Sequence, residues 1–281
     1  MIRLDELPAP APLTLGGVTL SARQLGAEDL PAALAIHGGP GLDHHVLLPL
    51  VLRLPAFRWT LPDLPAHGES SFPSRDTPGL QWIEQRLERW AARLGAIDLL
   101  VAHSLGAWLA MNLIRRRVIV PRSTVLLSPP VAHGDGRGSR RNLAPLFETG
   151  KSAKASLEAH IREECGGQIP PELEQVIGIS RLRHPRDYGS LLRSLGRAME
   201  GPPRGLSAAT RLLLICGDED RTTPPSDALT IARLSEGAET AIVEGTGHWA
   251  LARRPDEIAG LISAFVARDQ GQPGSPSSRA E

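Results

Sequence analysis

The sequence is poor in cysteine and has no excess of charge of either sign. Its 281 residues include two cysteines, Cys165 and Cys216, which are far apart and belong to no CxxC or metal-spaced pair. This pattern predicts neither a disulfide framework nor a cysteine metal site, and Cys216, at the end of an apolar run, is interpreted as a small buried hydrophobe. The formal net charge is zero, so no overall field favours nucleic acid or an anionic membrane.

Signals for membranes, export and nucleotides are also missing. No apolar run is long enough to cross a bilayer, and acidic residues and prolines open the chain where a signal peptide would be basic and then apolar. Neither Gly-x-Gly-x-x-Gly nor the full Gly-x-x-x-x-Gly-Lys-Ser/Thr pattern occurs, so no phosphate or dinucleotide loop is predicted. We expect a cytoplasmic protein, monomeric or weakly oligomeric, with no cofactor, no metal, no nucleic-acid partner and no membrane partner.

Short apolar runs alternate with amphipathic helical patterns along most of the chain. The alternation around Gly16 and Gly17 predicts a hairpin, and further strands are predicted at 32–36, 57–61, 99–102, 123–127, 211–216 and 239–243. Helices are predicted at 80–94, from Leu105, after Pro224 and at 255–266. Strands that alternate with helices indicate βαβ units and a parallel sheet covered on both faces.

The segment 133–206 differs in character from the rest of the chain. Glycine and arginine are frequent in it, no strand is convincing, and helical patterns recur at 155–164, 172–179 and 188–199. An inserted helical block between two strands is interpreted as a lid. We therefore divide the chain into a core formed by 1–132 and 207–268, a lid at 133–206, and a disordered tail at 269–281.

Ser104 lies at the junction between a predicted strand and a predicted helix. The apolar run that precedes it has no polar break, and Ala102 and Gly106 are small residues two positions away on either side. A strand that turns directly into a helix strains its junction residue, and small neighbours make room for that strain. Such a turn raises the serine hydroxyl above the sheet edge, beside the first N–H groups of the helix.

Three other unusual loops also follow predicted strands. They contain His37-Gly-Gly-Pro-Gly41, Asp220 and His248. The carboxyl ends of parallel strands open on one edge of a sheet, so we expect these loops to meet at Ser104. A serine nucleophile needs an imidazole to accept its proton, and the imidazole needs a carboxylate to orient it. Serine, aspartate and histidine on separate loops supply that set.

Taken together, these motifs resemble the α/β-hydrolase-fold serine hydrolases, over about residues 14–266. Ala102-His-Ser104-Leu-Gly106 resembles the nucleophile elbow, 217–224 matches Gly-x-x-Asp-x-x-x-Pro, and Gly247-His248 precedes the last helix. The resemblance implies an α/β fold with a mostly parallel eight-stranded sheet, helices on both faces and an inserted helical lid. It implies Ser104 as nucleophile, Asp220 as acid and His248 as base.

The glycine-rich loop resembles the oxyanion loop of the same family. The N–H groups of Gly39 and Leu105 are implied to hold the oxyanion, and the other loop residues to support them: His37, Gly38, Pro40 and Gly41. The stretch 63–70 resembles the family's Asp-x-x-Gly-x-Gly-x-Ser turn, with Ala66 replacing one glycine. Asp63 and His67 are therefore interpreted as structural.

The resemblance leaves the substrate open. We expect hydrolysis of a small-molecule ester, thioester, lactone or amide through an acyl-enzyme on Ser104. The glycine-rich loop is also similar to that of proline iminopeptidases, so an aminopeptidase is an alternative. In that case Glu163 and Glu164 of this chain could pair with the free α-amine of the substrate. Hydrolysis of carbon–carbon bonds and a binding protein with slow or no turnover are further alternatives. Asp218 is the competing acid.

Other histidines show no convincing metal-ligand spacing and are expected in surface or lid positions: His44, His45, His133, His160 and His184. Tryptophans are expected in the core or in pocket walls: Trp82, Trp108 and Trp249.

Overall fold

A computed structural model describes residues 2–71, 79–132, 153–181, 189–207 and 210–270. The sheet has eight strands, which are β1 Ala11–Leu15, β2 Val18–Leu25, β3 Ala32–Ile36, β4 Arg58–Pro62, β5 Leu99–His103, β6 Ser123–Leu127, β7 Arg211–Gly217 and β8 Glu239–Val243. Their order across the sheet is β1-β2-β4-β3-β5-β6-β7-β8. β1 pairs with β2 and β2 with β4 antiparallel, and all remaining pairs are parallel. The predicted eight-stranded, mostly parallel sheet is confirmed.

Helices cover both faces of this sheet, and a hydrophobic core lies beneath each set. Side chains of β5 alternate between the cores: Leu99 and Val101 join one, Leu100 and Ala102 the other. The helices are α1 Leu48–Val51, α2 Leu80–Ala91, α3 Leu105–Arg115, α4 Ala153–Glu164, α5 Pro171–Ile179, α6 Gly189–Ala198, α7 Pro225–Arg233, α8 Ala250–Arg253 and α9 Pro255–Gln270. In the described part of the chain, no helix is long and apolar enough to cross a membrane.

The segment between β6 and β7 contains α4, α5 and α6, and its described residues include no strand. Its helices pack into both cores, with Ile161 and Leu173 in one and Leu191 and Leu195 in the other. The predicted lid histidines His133 and His184 lie outside the described residues. Helix α9 extends two residues into the predicted tail, and the remaining tail, 271–281, is also outside them.

The parallel strands bring four loops to one edge of the sheet. The glycine-rich loop leaves β3, Ser104 follows β5, Asp220 follows β7 and His248 follows β8. Because β3, β5, β6, β7 and β8 are hydrogen-bonded in that order, these loops are neighbours although the sequence separates them.

Candidate active site

Ser104 has the strained backbone expected of a sharp strand-to-helix turn. Its φ is 52° and its ψ −120°, and it is the residue between β5 and α3. Two residues later, a Cβ on Gly106 would lie 2.4 Å from the His37 carbonyl oxygen and 2.5 Å from that of Ile36. The glycine is required because the glycine-rich loop passes directly over the first turn of α3.

A continuous hydrogen-bonded chain connects Ser104, His248 and Asp220. His248 Nε2 lies 3.0 Å from Ser104 Oγ, and His248 Nδ1 lies 2.9 Å from Asp220 Oδ2. All three residues are buried. A carboxylate at Nδ1 fixes the tautomer that leaves Nε2 free to accept a proton, so this arrangement can activate a serine hydroxyl.

Asp220 is held by its own loop. Its Oδ1 accepts the N–H groups of Thr222 at 2.9 Å and Thr223 at 2.8 Å, and its Oδ2 lies 2.9 Å from the Thr223 hydroxyl. Burial alone would raise the pKa of Asp220, but the His248 charge and these hydrogen bonds outweigh it and lower the pKa below the ordinary value of 3.8. The competing acid, Asp218, is exposed and accepts the Thr246 N–H at 3.3 Å.

Two acidic residues, Asp220 and Glu164, raise the pKa of His248. Burial would lower the pKa of its imidazole, but the Asp220 carboxylate raises it above the ordinary value of 6.5, and Glu164 raises it further. Glu164 is the last residue of α4, and its Oε1 accepts the Thr222 hydroxyl at 3.0 Å. Its Oε2 is buried and has no hydrogen-bond partner among the described residues. Glu163, by contrast, is exposed.

His103 is a residue of this site for which the sequence analysis assigned no role. Its Nε2 donates to the His248 carbonyl oxygen at 3.1 Å, and the two rings are 4.9 Å apart. Burial and then the nearby His248 lower the pKa of His103 to about 3, so its ring is neutral near neutral pH. His103 therefore holds the backbone of His248. The residue occupies a variable position of the elbow motif, so no local signal could have identified it.

The glycine-rich loop lies against the elbow. A Cβ on Gly38 would be 3.1 Å from Ser104 Cβ, and one on Gly39 would be 3.5 Å from Leu105 Cδ2. His37 fixes the loop, since its Nδ1 lies 2.6 Å from the Gly38 carbonyl oxygen and its Nε2 accepts the Leu64 N–H at 2.9 Å. Pro40 and Gly41 continue the loop, so that Gly38 lies beside Ser104 and Gly39 beside Leu105.

Asp63 serves as the organising carboxylate of the turn after β4. It accepts the backbone N–H groups of His44 at 3.0 Å and Glu69 at 2.9 Å, together with the His44 Nδ1–H at 2.7 Å. His67 is fully buried in the same turn. These contacts agree with the structural role predicted for Asp63.

His44 and His45 are expected at the surface or in the lid, and this expectation is wrong. His44 is fully buried, and His45 is largely buried. The buried partners of these two histidines could not be predicted from the sequence. Arg23 on β2 donates to Nε2 of His44 at 3.1 Å and lies 3.2 Å from Nε2 of His45, while Asp63 and Asp43 hold their Nδ1 atoms.

Asp43, His44 and His45 also form a cluster with ligand atoms close enough for a metal ion. The Arg23 guanidinium, however, occupies both histidine Nε2 positions, and the carboxylates occupy both Nδ1 positions. A cation would have to displace an arginine from a buried network. The donor set is therefore filled by the protein itself and does not fit a metal.

Comparisons with known proteins agree with this architecture. The chain is 24% identical over 258 residues to mouse "sn-1-specific diacylglycerol lipase ABHD11", covering 86% of this chain and 83% of the relative. Its fold matches a membrane phospholipase A, described as a bacterial virulence factor, with a TM-score of 0.71 and 21% identity over 94% of this chain and 87% of the other. It also matches CarC, a serine hydrolase involved in carbazole degradation, with a TM-score of 0.71 and 16% identity over 92% and 99% of the two chains. The model of the alpha/beta hydrolase family, Abhydrolase_6, matches residues 33–261. The chain therefore belongs to the α/β-hydrolase family and is a hydrolase of that fold.

Proposed function

We propose that the protein is a serine hydrolase that cleaves a carboxylic ester, thioester or related acyl bond of a small molecule. The observation that carries this proposal is the chain of contacts from Ser104 Oγ through His248 to Asp220. Serine at the elbow argues against a carboxylate-nucleophile reaction, since the residue in the strained turn is Ser104 and not an aspartate or glutamate.

The proposed reaction begins with attack of Ser104 Oγ on the substrate carbonyl carbon. His248 Nε2 accepts the hydroxyl proton as the new C–O bond forms, and Asp220 stabilises the resulting imidazolium. His248 then donates that proton to the leaving oxygen or sulfur as its bond to the carbonyl carbon breaks. Water, deprotonated by His248, attacks the acyl-enzyme, releases the acid and restores Ser104.

Two backbone N–H groups are proposed to hold the oxyanion of the tetrahedral intermediate. They belong to Gly39 and Leu105, and neither donates a hydrogen bond to another residue of the described chain. Leu105 is the first residue of α3, where backbone donors lack helical acceptors and the helix dipole favours negative charge. Such donors are worth about 3–4 kcal/mol each in the transition state.

The test combines a fluorophosphonate probe with p-nitrophenyl esters of increasing acyl length. Wild type is expected to be labelled and to hydrolyse esters, and Ser104→Ala to lose labelling and about 10⁴-fold or more of kcat. Ser123→Ala is the matched control, because Ser123 is also buried but begins β6 at the opposite edge of the sheet. Labelling that persists in Ser104→Ala would refute the assignment of the nucleophile.

A second candidate, an aminopeptidase acting on an N-terminal residue, is favoured by Glu164. The carboxylate of Glu164 is beside the His248 loop and has one buried oxygen without a partner in the described chain. Such a group can pair with the protonated α-amine of a peptide. Proline β-naphthylamide and its N-acetyl derivative separate the two functions. A peptidase would cleave only proline β-naphthylamide, whose amine is free, and would lose that activity in Glu164→Gln. An esterase would instead prefer p-nitrophenyl esters.

A further inference from the structure

The end of helix α5 is hydrogen-bonded to the chain that follows the glycine-rich loop. Asp43 comes two residues after Gly41, and its Oδ1 accepts the hydroxyl of Ser180, the residue that ends α5, at 2.9 Å. Its Oδ2 accepts the backbone N–H of Arg181 at 2.8 Å. One carboxylate therefore joins the inserted segment to the chain that carries Gly39.

Asp43 is buried, so water cannot easily replace the donors that it would lose if α5 moved. Its side chain is 2% exposed, and its Oδ1 also accepts the His45 backbone N–H at 3.1 Å and lies 2.9 Å from the His45 Nδ1. Burial would raise the pKa of the Asp43 carboxyl, but the hydrogen bond from His45 and the charges of neighbouring histidines lower it below 3.8. An ionised, buried carboxylate is destabilised when it loses its donors, so the end of α5 and Asp43 are expected to move together.

A second link at the same place lies at the surface. Arg181 Nη1 lies 2.7 Å from Glu69 Oε2, and the two side chains are 56% and 53% exposed. Ion pairs at such exposure contribute little, because water screens the charges and two long side chains must be ordered. The buried contacts of Asp43, rather than the Glu69 pair, are therefore expected to hold the end of α5.

The position of Asp43 is transmitted to the proposed oxyanion donor. Residues 40–42, which separate Asp43 from Gly39, are buried, and Val46 beyond it shares a hydrophobic core with Ile177 of α5. Close-packed segments of this kind shift together rather than deform. We propose that Asp43 is a positioning residue, through which the end of α5 holds the glycine-rich loop and its Gly39 N–H in place over Ser104. This inference rests on the proposed function, since it concerns a donor of that mechanism.

Ser180→Ala tests the link with little disturbance, because it removes one donor of the inserted segment and leaves Asp43 intact. We expect kcat for p-nitrophenyl esters to fall about three- to tenfold, with KM changed less than about twofold. The loss is smaller than the about 10²-fold cost of a 1 Å displacement, because the Arg181 N–H still holds Oδ2. Ser180→Thr restores the hydroxyl and should restore kcat to within about twofold of wild type.

Ser194→Ala is the matched control for Ser180→Ala. Ser194 is also half-buried in a helix of the inserted segment, and its hydroxyl oxygen accepts the Leu80 N–H at 2.8 Å, so it joins that segment to α2 instead of to the glycine-rich loop. We expect a comparable loss of thermal stability, with kcat within about twofold of wild type. Equal kcat in Ser180→Ala and Ser194→Ala would refute the role of Asp43.

A double-mutant comparison then assigns the effect to Asp43. Asp43→Ala removes the acceptor, so the addition of Ser180→Ala to it should change kcat by less than about twofold. A further loss of about threefold or more would show that Ser180 acts elsewhere and would overturn the proposal. If Asp43→Ala does not fold, the Ser180 and Ser194 variants still decide.

Fluorophosphonate labelling separates this inference from the proposed function. A wild type that is not labelled at Ser104 would contradict the proposed nucleophile. Labelling of wild type and Ser180→Ala at equal rates would refute the Asp43 link alone, because the phosphoryl oxygen of the probe needs the same oxyanion donors as the substrate.

Discussion

Replacement of Gly106 by alanine should separate the activity of this protein from its stability. Gly106 has an ordinary negative φ, so alanine carries no conformational penalty there, but its Cβ would meet the His37 carbonyl oxygen at 2.4 Å and that of Ile36 at 2.5 Å. Ordinary contact needs about 3.4 Å, so the glycine-rich loop and the elbow must separate by about 1 Å. That loop carries the Gly39 N–H proposed to hold the oxyanion.

A displacement of about 1 Å at a reacting centre can cost about 10²-fold in rate. We therefore expect Gly106→Ala to lower kcat for p-nitrophenyl ester hydrolysis about 10²-fold. Overpacking should lower the free energy of unfolding by about 1–3 kcal/mol, which leaves most of a typical domain's stability intact. The assays are steady-state hydrolysis and urea unfolding followed by circular dichroism.

Gly260→Ala is the matched control for this experiment. Gly260 lies within α9, where a Cβ would meet nothing within 4 Å, so alanine should leave kcat unchanged and stabilise the helix by about 0.5–1 kcal/mol. If Gly106→Ala retains kcat within about threefold of wild type while folding normally, the glycine-rich loop does not position the reacting groups, and the argument from close approach fails.

Three further predictions concern His248 and the carboxylates around it: two address the acid limb of the pH–rate profile, and one the identity of the catalytic acid. Catalysis needs neutral His248, and Asp220 raises the pKa of that residue above 6.5. The kcat/KM of wild type should therefore fall as the pH drops through a value above 6.5, and an apparent pKa below 6.5 for this acid limb would contradict the electrostatic account. Glu164→Gln removes a charge that raises the same pKa, so the limb should move to lower pH, while Glu163→Gln, at an exposed position, should leave it in place. Asp220→Asn should lower kcat by up to about 10⁴-fold and Asp218→Asn by less than about tenfold, and the reverse order in an ester assay would reassign the acid.

The fold could be predicted from the sequence because its signals are local. Apolar runs without alternation marked buried strands such as β6, which coincides with the predicted span 123–127. The predicted span 239–243 likewise coincides with β8, a partly exposed strand. The meeting of the loops that carry Ser104, Asp220 and His248 followed from one topological rule about parallel strands. Boundaries were less accurate where a helix continued past its last apolar residue, as α9 does to Gln270.

The contacts that escaped prediction join residues far apart in the sequence. Arg23 on β2 contacts His44 and His45 because β2 lies beside β4, and the turn after β4 carries the Asp63 that binds His44. No pattern within either segment indicates the other. The role of His103 could not be predicted for the same reason, since its partner is a backbone carbonyl 145 residues away. Such pairs depend on tertiary neighbours rather than on periodicity.

The inserted segment contributes to the site more directly than a cover would. The Glu164 carbonyl oxygen at the end of α4 passes so close to Gly247 that a Cβ there would lie 2.4 Å from it, and the Glu164 side chain contacts Thr222 beside Asp220. The inserted helix therefore abuts both loops that carry the acid and the base. Because Glu164 also acts on the charge of His248, a change in the position of α4 must alter the proton affinity of the proposed base. Substrates that displace this helix would thus change the pH dependence of their own hydrolysis.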